Sequence, residues 1–374
     1  MQEKNIAAMP VKGHKVAIIH DWLTGMRGGE KVLELMLSIF PQADIFTLLW
    51  VKGSVSEKIE KQKITASFLQ KIPFIRKSYR SFLPLFPLAI ESFDLNEYDL
   101  VISSSHCVAK GIIPPPQARH ICYCYTPMRY IWNMYSEYFK DVKNPFSVIA
   151  YRSASHYLRL WDLSTNSRVD DFIAISDHIS RRIQRYYNRP STVIYPPVDT
   201  EYYHPVPDRA IPEPYYLIVS ALVPYKKVDL AVKAFNRNGK RLVIIGEGPE
   251  KSKLLRKAND NISFLGWKNN EQLRQWYSHC SALVFPGEED FGIVPLEAQA
   301  CGSPVIAYRK GGATETIIDR QTGIFFDRQT MEELQNAVIV HEKMPYDKMK
   351  IIANAKRFSN EIFCENLKKQ IFPG

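Results

Sequence analysis

The sequence has no run of 18 or more apolar residues, so no segment of it reads as a bilayer-spanning helix. Its most apolar stretch, residues 81–93, is broken by Pro84 and Pro87. The N-terminus lacks the ordered basic, apolar and small-residue regions of a signal peptide, and the expectation is a cytoplasmic protein. No Cys-x-x-Cys pair occurs. Cys107, Cys122, Cys124, Cys280, Cys301 and Cys364 are scattered, the pattern of reduced structural thiols rather than of zinc sites or disulfides. Low-complexity tracts are absent, which excludes disorder, collagen and coiled coil as descriptions of the whole chain. No Gly-x-Gly-x-x-Gly follows a strand pattern, which disfavours a dinucleotide oxidoreductase. No nucleic-acid-binding module is present.

What is present suits two domains. The 374 residues are 45% hydrophobic and 24% charged, too many for one ordinary core and right for two of ~100–200 residues. The net charge of +10 asks for an anionic partner without choosing one. Short β-branched runs alternate with helical spacing throughout. Strands are expected at 15–20, 45–49, 100–103, 120–124, 171–175 and 192–195, then at 215–220, 241–246, 262–265, 282–285, 305–307 and 323–326. Helical spacing covers residues 30–39, 228–235 and 271–277. The six prolines within residues 196–214 mark an interdomain linker. The pattern predicts an α/β protein of two Rossmann-like, doubly wound domains, with ligands at the carboxyl ends of the strands. The expected boundaries are 1–205 and 206–357, with a last helix, 358–374, crossing back to the first domain.

The chemistry concentrates after the expected strand 282–285, in Pro286-Gly-Glu-Glu-Asp-Phe-Gly-Ile-Val-Pro-Leu-Glu297. Glu289 falls in a loop and Glu297 inside the next helix. Phe291, Gly292 and Ile293 can present backbone N–H groups between them. Carboxylates accept several hydrogen bonds from a hydroxyl-rich ligand, and a helix N-terminus suits an anion. A sugar joined to a diphosphate would use both. A solvated acidic loop before an amphipathic helix explains the two glutamates equally well.

Glu289-x7-Glu297 with its trailing Ala-Cys-Gly-x-Pro-Val resembles the signature of the family-4 retaining glycosyltransferases, which have the GT-B fold of two facing Rossmann domains around a cleft. The resemblance extends to residues 219–230 as a phosphate-binding strand–loop–helix, to Ile245-Gly-Glu-Gly-Pro249, Phe264-Leu-Gly-Trp267, Gly311-Gly-Ala-Thr-Glu315 and Thr322-Gly323, and to Gly28-Gly29 in the first domain. It implies that Glu289 holds the transferred sugar together with the backbone of Phe291, Gly292 and Ile293. It also implies that Glu297 accepts hydrogen bonds from the ribose, that Lys226 neutralises the diphosphate beside Gly28 and Gly29, and that the main chain at Trp267 meets the base. The implied reaction is same-face transfer to an acceptor hydroxyl, with no cofactor and no metal. Two positions depart from the family pattern. Ala221 stands where relatives carry Arg, and Tyr125 where they often carry His before Thr-Pro. Adjacent residues on a helix point apart, so Lys227 is read as solvated rather than as a substitute for the missing Arg.

The spacing of His20-Asp-Trp-Leu-Thr-x5-Glu-Lys31 and Thr126-Pro-Met-Arg-Tyr-Ile-Trp132 is similar to that of a bacterial mannosyltransferase branch. That branch uses GDP-mannose to build O-antigen or capsule on polyprenyl-diphosphate carriers. A UDP-sugar donor, a nucleotide-sugar 2-epimerase and a weakly active scaffold of a glycan-assembly complex remain the competing readings. On the acceptor or sugar side stand Asp21, His106, Tyr125 and Arg129. Asp21 is equally a loop-capping residue, His106 equally a locally satisfied loop histidine, and Arg129 equally a surface arginine. Finally, residues 61–90 carry Lys61, Lys63, Lys71, Arg76, Lys77 and Arg80, interleaved with aromatics, and no acid. This suits contact with an anionic membrane, at the inner face of the cytoplasmic membrane. The competing reading is a helix packed on the first domain with its lysines in water.

Overall fold

The structure is a computed structural model that describes residues 14–132, 144–207 and 214–372. The side chains of Arg76, Lys77 and Arg80 lie outside the described ones. The chain divides into two compact units, residues 1–195 with 364–374, and residues 196–363.

Unit 1 is built on strands β1 (Val16–His20), β2 (Asp44–Thr47), β3 (Ile64–Ala66), β4 (Leu100–Ser105), β5 (Arg119–Cys124), β6 (Asp171–Ala174) and β7 (Thr192–Val193). They form one sheet in the order β3-β2-β1-β4-β5-β6-β7, and every neighbouring pair is parallel. A parallel sheet is covered on both faces, so its strands read as unbroken apolar runs. All five residues of β1 are buried, as Val-Ala-Ile-Ile-His requires. Unit 2 repeats the plan with β8 (Tyr216–Val219), β9 (Leu242–Ile245), β10 (Ile262–Gly266), β11 (Ala282–Phe285), β12 (Val305–Tyr308) and β13 (Gly323–Phe326), in the order β10-β9-β8-β11-β12-β13, again all parallel.

The helices that matter here are α1 (Gly28–Ile39), α2 (Phe86–Glu91), α3 (Pro145–Ser164), α4 (Val228–Asn238), α5 (Asn270–His279), α6 (Ile293–Ala300) and α7 (Asn360–Ile371). In α1 the apolar residues Val32, Leu33, Met36 and Leu37 recur at helical spacing and are buried. Strand β3 and helix α3 are among the elements that the sequence reading did not place. Strand β3 is a three-residue edge strand with no apolar run to announce it. Helix α3 begins on a capping pair the sequence does show: Asn144 accepts from the amides of Phe146 and Ser147, and Pro145 occupies the first turn.

The first unit ends at Tyr195, ahead of the 205 read from the sequence. The proline-rich segment begins inside unit 2, where the amide of Val198 donates to the carbonyl of Phe358 at 2.8 Å. Residues 208–213 of that segment lie outside the described ones. Helix α7 starts with unit 2 and finishes with unit 1 from Cys364 onward, where Arg119 donates to the carbonyl of Ile371 at 2.6 Å. All six cysteines are buried and none forms a disulfide. Among the described residues, no helix is long and apolar enough to cross a membrane.

Candidate functional site

In unit 2 the strand order reverses between β8 and β11. The loops leaving the carboxyl ends of these adjacent strands diverge, which opens the crevice where open α/β sheets bind ligands. Lys226 closes a 3-10 turn, Pro224–Lys226, directly after β8. Glu289 follows β11. The two side chains form an ion pair, with Lys226 16% and Glu289 24% exposed, and the Tyr225 ring lies 5.5 Å from the ammonium. A half-buried pair of this kind holds one positive and one negative group ready in a single crevice, the first suited to a phosphate and the second to hydroxyls.

The acidic loop is fixed by glycines. Gly311 has φ +68°, and a Cβ there would collide with the Glu289 carbonyl oxygen. The Glu289 and Gly311 backbones bridge, and the Gly312 amide donates to that carbonyl at 2.9 Å. Gly292, at φ +98°, is the N-cap of α6, a conformation that side chains resist. The first amides of α6 follow it, and a helix N-terminus carries partial positive charge. Phe291 is buried against Phe358, ring centres 5.9 Å apart.

Glu297 occupies the second turn of α6 and is only 6% exposed. Tyr277 of α5 donates to it at 2.9 Å, and Tyr203 stands beside it, its hydroxyl pKa pushed up by burial and then by the Glu297 charge. Glu297 is thus already engaged within the protein. Trp267 follows the edge strand β10, 74% exposed, at the same carboxyl rim of the sheet. Ala221 is an exposed loop residue after β8. Lys227 is exposed at φ 55°, so it leaves the turn separately from Lys226 although neither lies on an α-helix.

Unit 1 reverses its strand order between β1 and β4, and a buried polar cluster occupies that point. His20 ends β1, and its Nδ1 lies 3.0 Å from the Ser104 hydroxyl. That hydroxyl lies 3.0 Å from the Tyr125 hydroxyl, which in turn donates to the Gly29 carbonyl at 3.2 Å. His20 Nε2 is 3.9 Å from buried Glu30, and Glu30 accepts from the Arg27 amide at the start of α1. Burial works to raise the Glu30 pKa, but its hydrogen bond to His20 and the charges of His20 and Arg27 outweigh it and leave it lowered. Burial also raises the Tyr125 pKa, so its phenol stays protonated. The structure therefore brings Gly29, Tyr125 and His106 together. Arg129 sits half-buried in the turn after β5.

Of the two readings of Asp21, an acceptor contact and a loop cap, the structure follows the loop cap: the side chain is completely buried. Its carboxylate accepts from the amides of His106, Cys107, Val108 and Ala109 at 2.7–2.9 Å and lies 3.0 Å from His106 Nδ1. Burial alone would raise its pKa; the charge and hydrogen bonds of His106 bring it down to about 2. A carboxylate with every lone pair occupied and so low a pKa takes no proton from a ligand near neutral pH. Asp21 instead positions His106. That ring remains 30% exposed and packs edge-on to Trp22, centres 4.4 Å apart.

Sequence reasoning gave no individual role to Ser104, or to Trp22 and Glu30 of the His20–Lys31 motif. Ser104 carried a signal, since three consecutive serines end an otherwise apolar strand and all are buried. Residues 61–90 pack on unit 1 through part of their apolar side chains, as the packed-helix reading expects. Leu69, Ile75, Tyr79 and Phe86 enter the core, while Phe68, Phe74, Leu85 and Leu88 are exposed, as is Lys71.

The family description "Glycosyl transferases group 1" matches residues 201–358, which spans both β8 with Lys226 and β11 with Glu289. Residues 201–358 are thus similar to the glycosyl transferases group 1 domain. An uncharacterized glycosyltransferase of Methanocaldococcus jannaschii is 28% identical over 207 residues, 54% of this chain and 57% of that one. A GDP-mannose-dependent alpha-(1-6)-phosphatidylinositol monomannoside mannosyltransferase of Mycolicibacterium smegmatis is 32% identical over 170 residues, 38% of this chain and 44% of that one. The chain spans about half the length of the curated relatives it matches. Anabaena HepE, solved in complex with UDP, aligns over 96% of this chain and 99% of its own with a TM-score of 0.72 at 17% identity. The likeness to such structures shows the fold, GT-B, with one parallel sheet in each unit.

Proposed function

We propose that the chain is a retaining glycosyltransferase that moves a hexose, mannose from GDP-mannose, to a hydroxyl of a polyprenyl-diphosphate-linked glycan in cell-surface polysaccharide synthesis. The observation that carries the reading is the Lys226–Glu289 pair beside the N-terminus of α6, within the segment similar to the glycosyl transferases group 1 domain. A diphosphate placed there would draw Lys226 away from Glu289. The ammonium and the α6 amides would then stabilise the charge that grows on the leaving phosphate, and Glu289 would be freed for sugar hydroxyls. The bond from C1 to the diphosphate oxygen breaks, and one from C1 to the acceptor oxygen forms on the same face. The acceptor proton passes to a donor phosphate oxygen, and the nucleoside diphosphate leaves. Lys226 supplies the positive charge, and the reading calls for no metal or cofactor.

Mannose is favoured by the mannosyltransferase relatives. The second reading, a UDP-sugar donor, is favoured by HepE and its bound UDP. Glu297 would serve the ribose by exchanging or sharing its tyrosine partner, with the main chain at Trp267 along the base. The basic stretch from Lys71 through Arg76, Lys77 and Arg80 would hold the protein peripherally on the anionic inner face of the cytoplasmic membrane, where a lipid-linked acceptor lies.

The test is a panel of GDP- and UDP-sugars with a synthetic lipid-linked acceptor. Glycosylated product of retained anomeric configuration is expected from GDP-mannose. Nucleotide release without acceptor product from every donor would overturn the transferase reading, and no release from any donor would leave the scaffold reading in its place. Glu289→Ala should lower kcat by at least about a hundredfold, the scale of a lost transition-state contact, with nucleotide binding kept. Full activity in that variant would contradict the role of Glu289.

A further inference from the structure

Charge is not shared evenly. Unit 2 has 22 Lys and Arg against 21 Asp and Glu, whereas unit 1 has 27 against 18, so the chain's positive excess belongs to unit 1. Helix α3 of that unit displays an apolar stripe to solvent. Its inner face buries Ser155, Leu158, Trp161 and Asp162. On the opposite face Phe146, Ile149, Tyr157, Leu160 and Leu163 recur at helical spacing and are 80, 62, 48, 57 and 39% exposed. Isolated exposed apolar residues need no explanation; a row of five along one helix does. No Asp or Glu occurs from 145 to 161, Asp162 is fully buried, and Arg152 is exposed beside the stripe.

The neighbouring segment has the same character. Trp161 of α3 donates to Glu91 at the end of α2 at 2.9 Å, and the turns before α2 display Phe74, 83% exposed at φ 59°. A left-handed backbone that holds a large side chain out in water is unfavourable and calls for a functional reason.

We propose that the outward face of α3 is an interfacial membrane-docking helix, lying along an anionic lipid surface with its five apolar side chains among the acyl chains. This rests on the membrane contact proposed above and deepens it, since the basic stretch supplies attraction and α3 supplies insertion. The helix has the required character: apolar on one side, carrying no exposed acid, and part of a unit with a positive excess of nine. A second copy of the chain fits less well. A stripe one side chain wide offers less than the ~800 Å² per partner of a stable interface, and pairing it with itself would bring two positively charged units together.

The experiment uses the full chain and flotation with vesicles of phosphatidylcholine alone or mixed with phosphatidylglycerol, without donor or acceptor, so failure of the transferase reading leaves it untouched. Wild type should float with the mixed vesicles and not with the neutral ones. Ile149→Glu with Leu160→Glu should weaken binding more than about tenfold, the consequence of losing two buried aliphatic groups. Both positions are exposed in the fold, and unchanged circular dichroism would show it intact. Since the native cysteines are buried, Leu160→Cys can be labelled with an environment-sensitive fluorophore. Its emission should shift to the blue on mixed vesicles. Unchanged binding of the double variant, or a label that stays in water while the protein floats, would overturn the role of α3 and leave the basic stretch standing. A wild type that ignores mixed vesicles would overturn both. A wild-type dimer by light scattering that the double variant abolishes would assign the face to self-association and also overturn the proposal.

Discussion

Asp21 was legible as a polar residue at a strand end, with a loop cap and an acceptor contact equally open. What decides between them is four amides supplied from more than 80 residues away, a contact that sequence spacing does not encode. An unfolded Asp titrates near ~3.9, whereas Asp21 in the fold titrates at about 2. A depressed folded pKa means that the stabilisation is fully present above pH ~4 and is lost as pH falls through about 2. At ~1.36 kcal/mol per pKa unit it amounts to about 2–3 kcal/mol. Asp21→Asn should therefore be destabilised by several kcal/mol at pH 7 in urea unfolding, with the gap to wild type narrowing toward pH 2. A gap independent of pH would contradict the assignment. The same variant should lose activity through a displaced His106, since the carboxylate holds that ring by Nδ1.

Tyr125, Ser104 and Glu289 show the same division between residue type and arrangement. Their types announce hydrogen bonding to a polar ligand. Only the fold shows Tyr125 tied to the Gly29 carbonyl, or Glu289 paired with Lys226.

At the scale of elements, strands and helices with strong apolar runs were read from the sequence to within a few residues. Two kinds escaped. Strand β3 is too short to have a period, and α3 wears its clearest period on the outside, where a reading that equates apolar with buried does not look. What pins α3 to its unit is polar. Lys110, in the turn after β4, is buried and donates to the Asp162 and Thr165 oxygens and to Asn166 at 2.6–3.0 Å, while Asp162 also accepts from Trp132 at 2.7 Å and Tyr187 at 2.9 Å. Lys110→Met would strand a buried carboxylate and should cost ~3–5 kcal/mol in denaturant unfolding. Adding Asp162→Asn removes the stranded charge and keeps an acceptor for Trp132 and Tyr187, so the double variant should recover more than half of the loss. If the two costs simply add, the pair is not coupled. In unit 2, Gly292→Ala forces a Cβ into φ +98° at the α6 N-cap. It should cost about 1–3 kcal/mol and weaken nucleotide binding measured by calorimetry. Normal binding would mean that the α6 amides do not face the ligand.

For the molecule as a whole, two parallel sheets with a reversal point in each were foreseeable from alternating strand and helix patterns, because each parallel crossover needs a helix. The uneven charge was present in the sequence too, but it gained meaning only once the division into units was known. Unit 2 is nearly neutral, so its affinity for a nucleoside diphosphate must come from placed groups, Lys226 and the α6 amides, and not from overall charge. Three consequences follow from that. Binding of GDP or UDP should depend only weakly on salt, in contrast to vesicle binding by unit 1. At a hundredfold excess over Kd the nucleotide should stabilise unit 2 by ~2.7 kcal/mol, visible in hydrogen exchange as slower opening of the loops after β8 and β11. Lys226→Ala should abolish that protection, because no other lysine or arginine from 219 to 227 lies in the half-buried turn. Protection that survives Lys226→Ala, or that collapses in moderate salt while Lys226 is present, would place the nucleotide elsewhere.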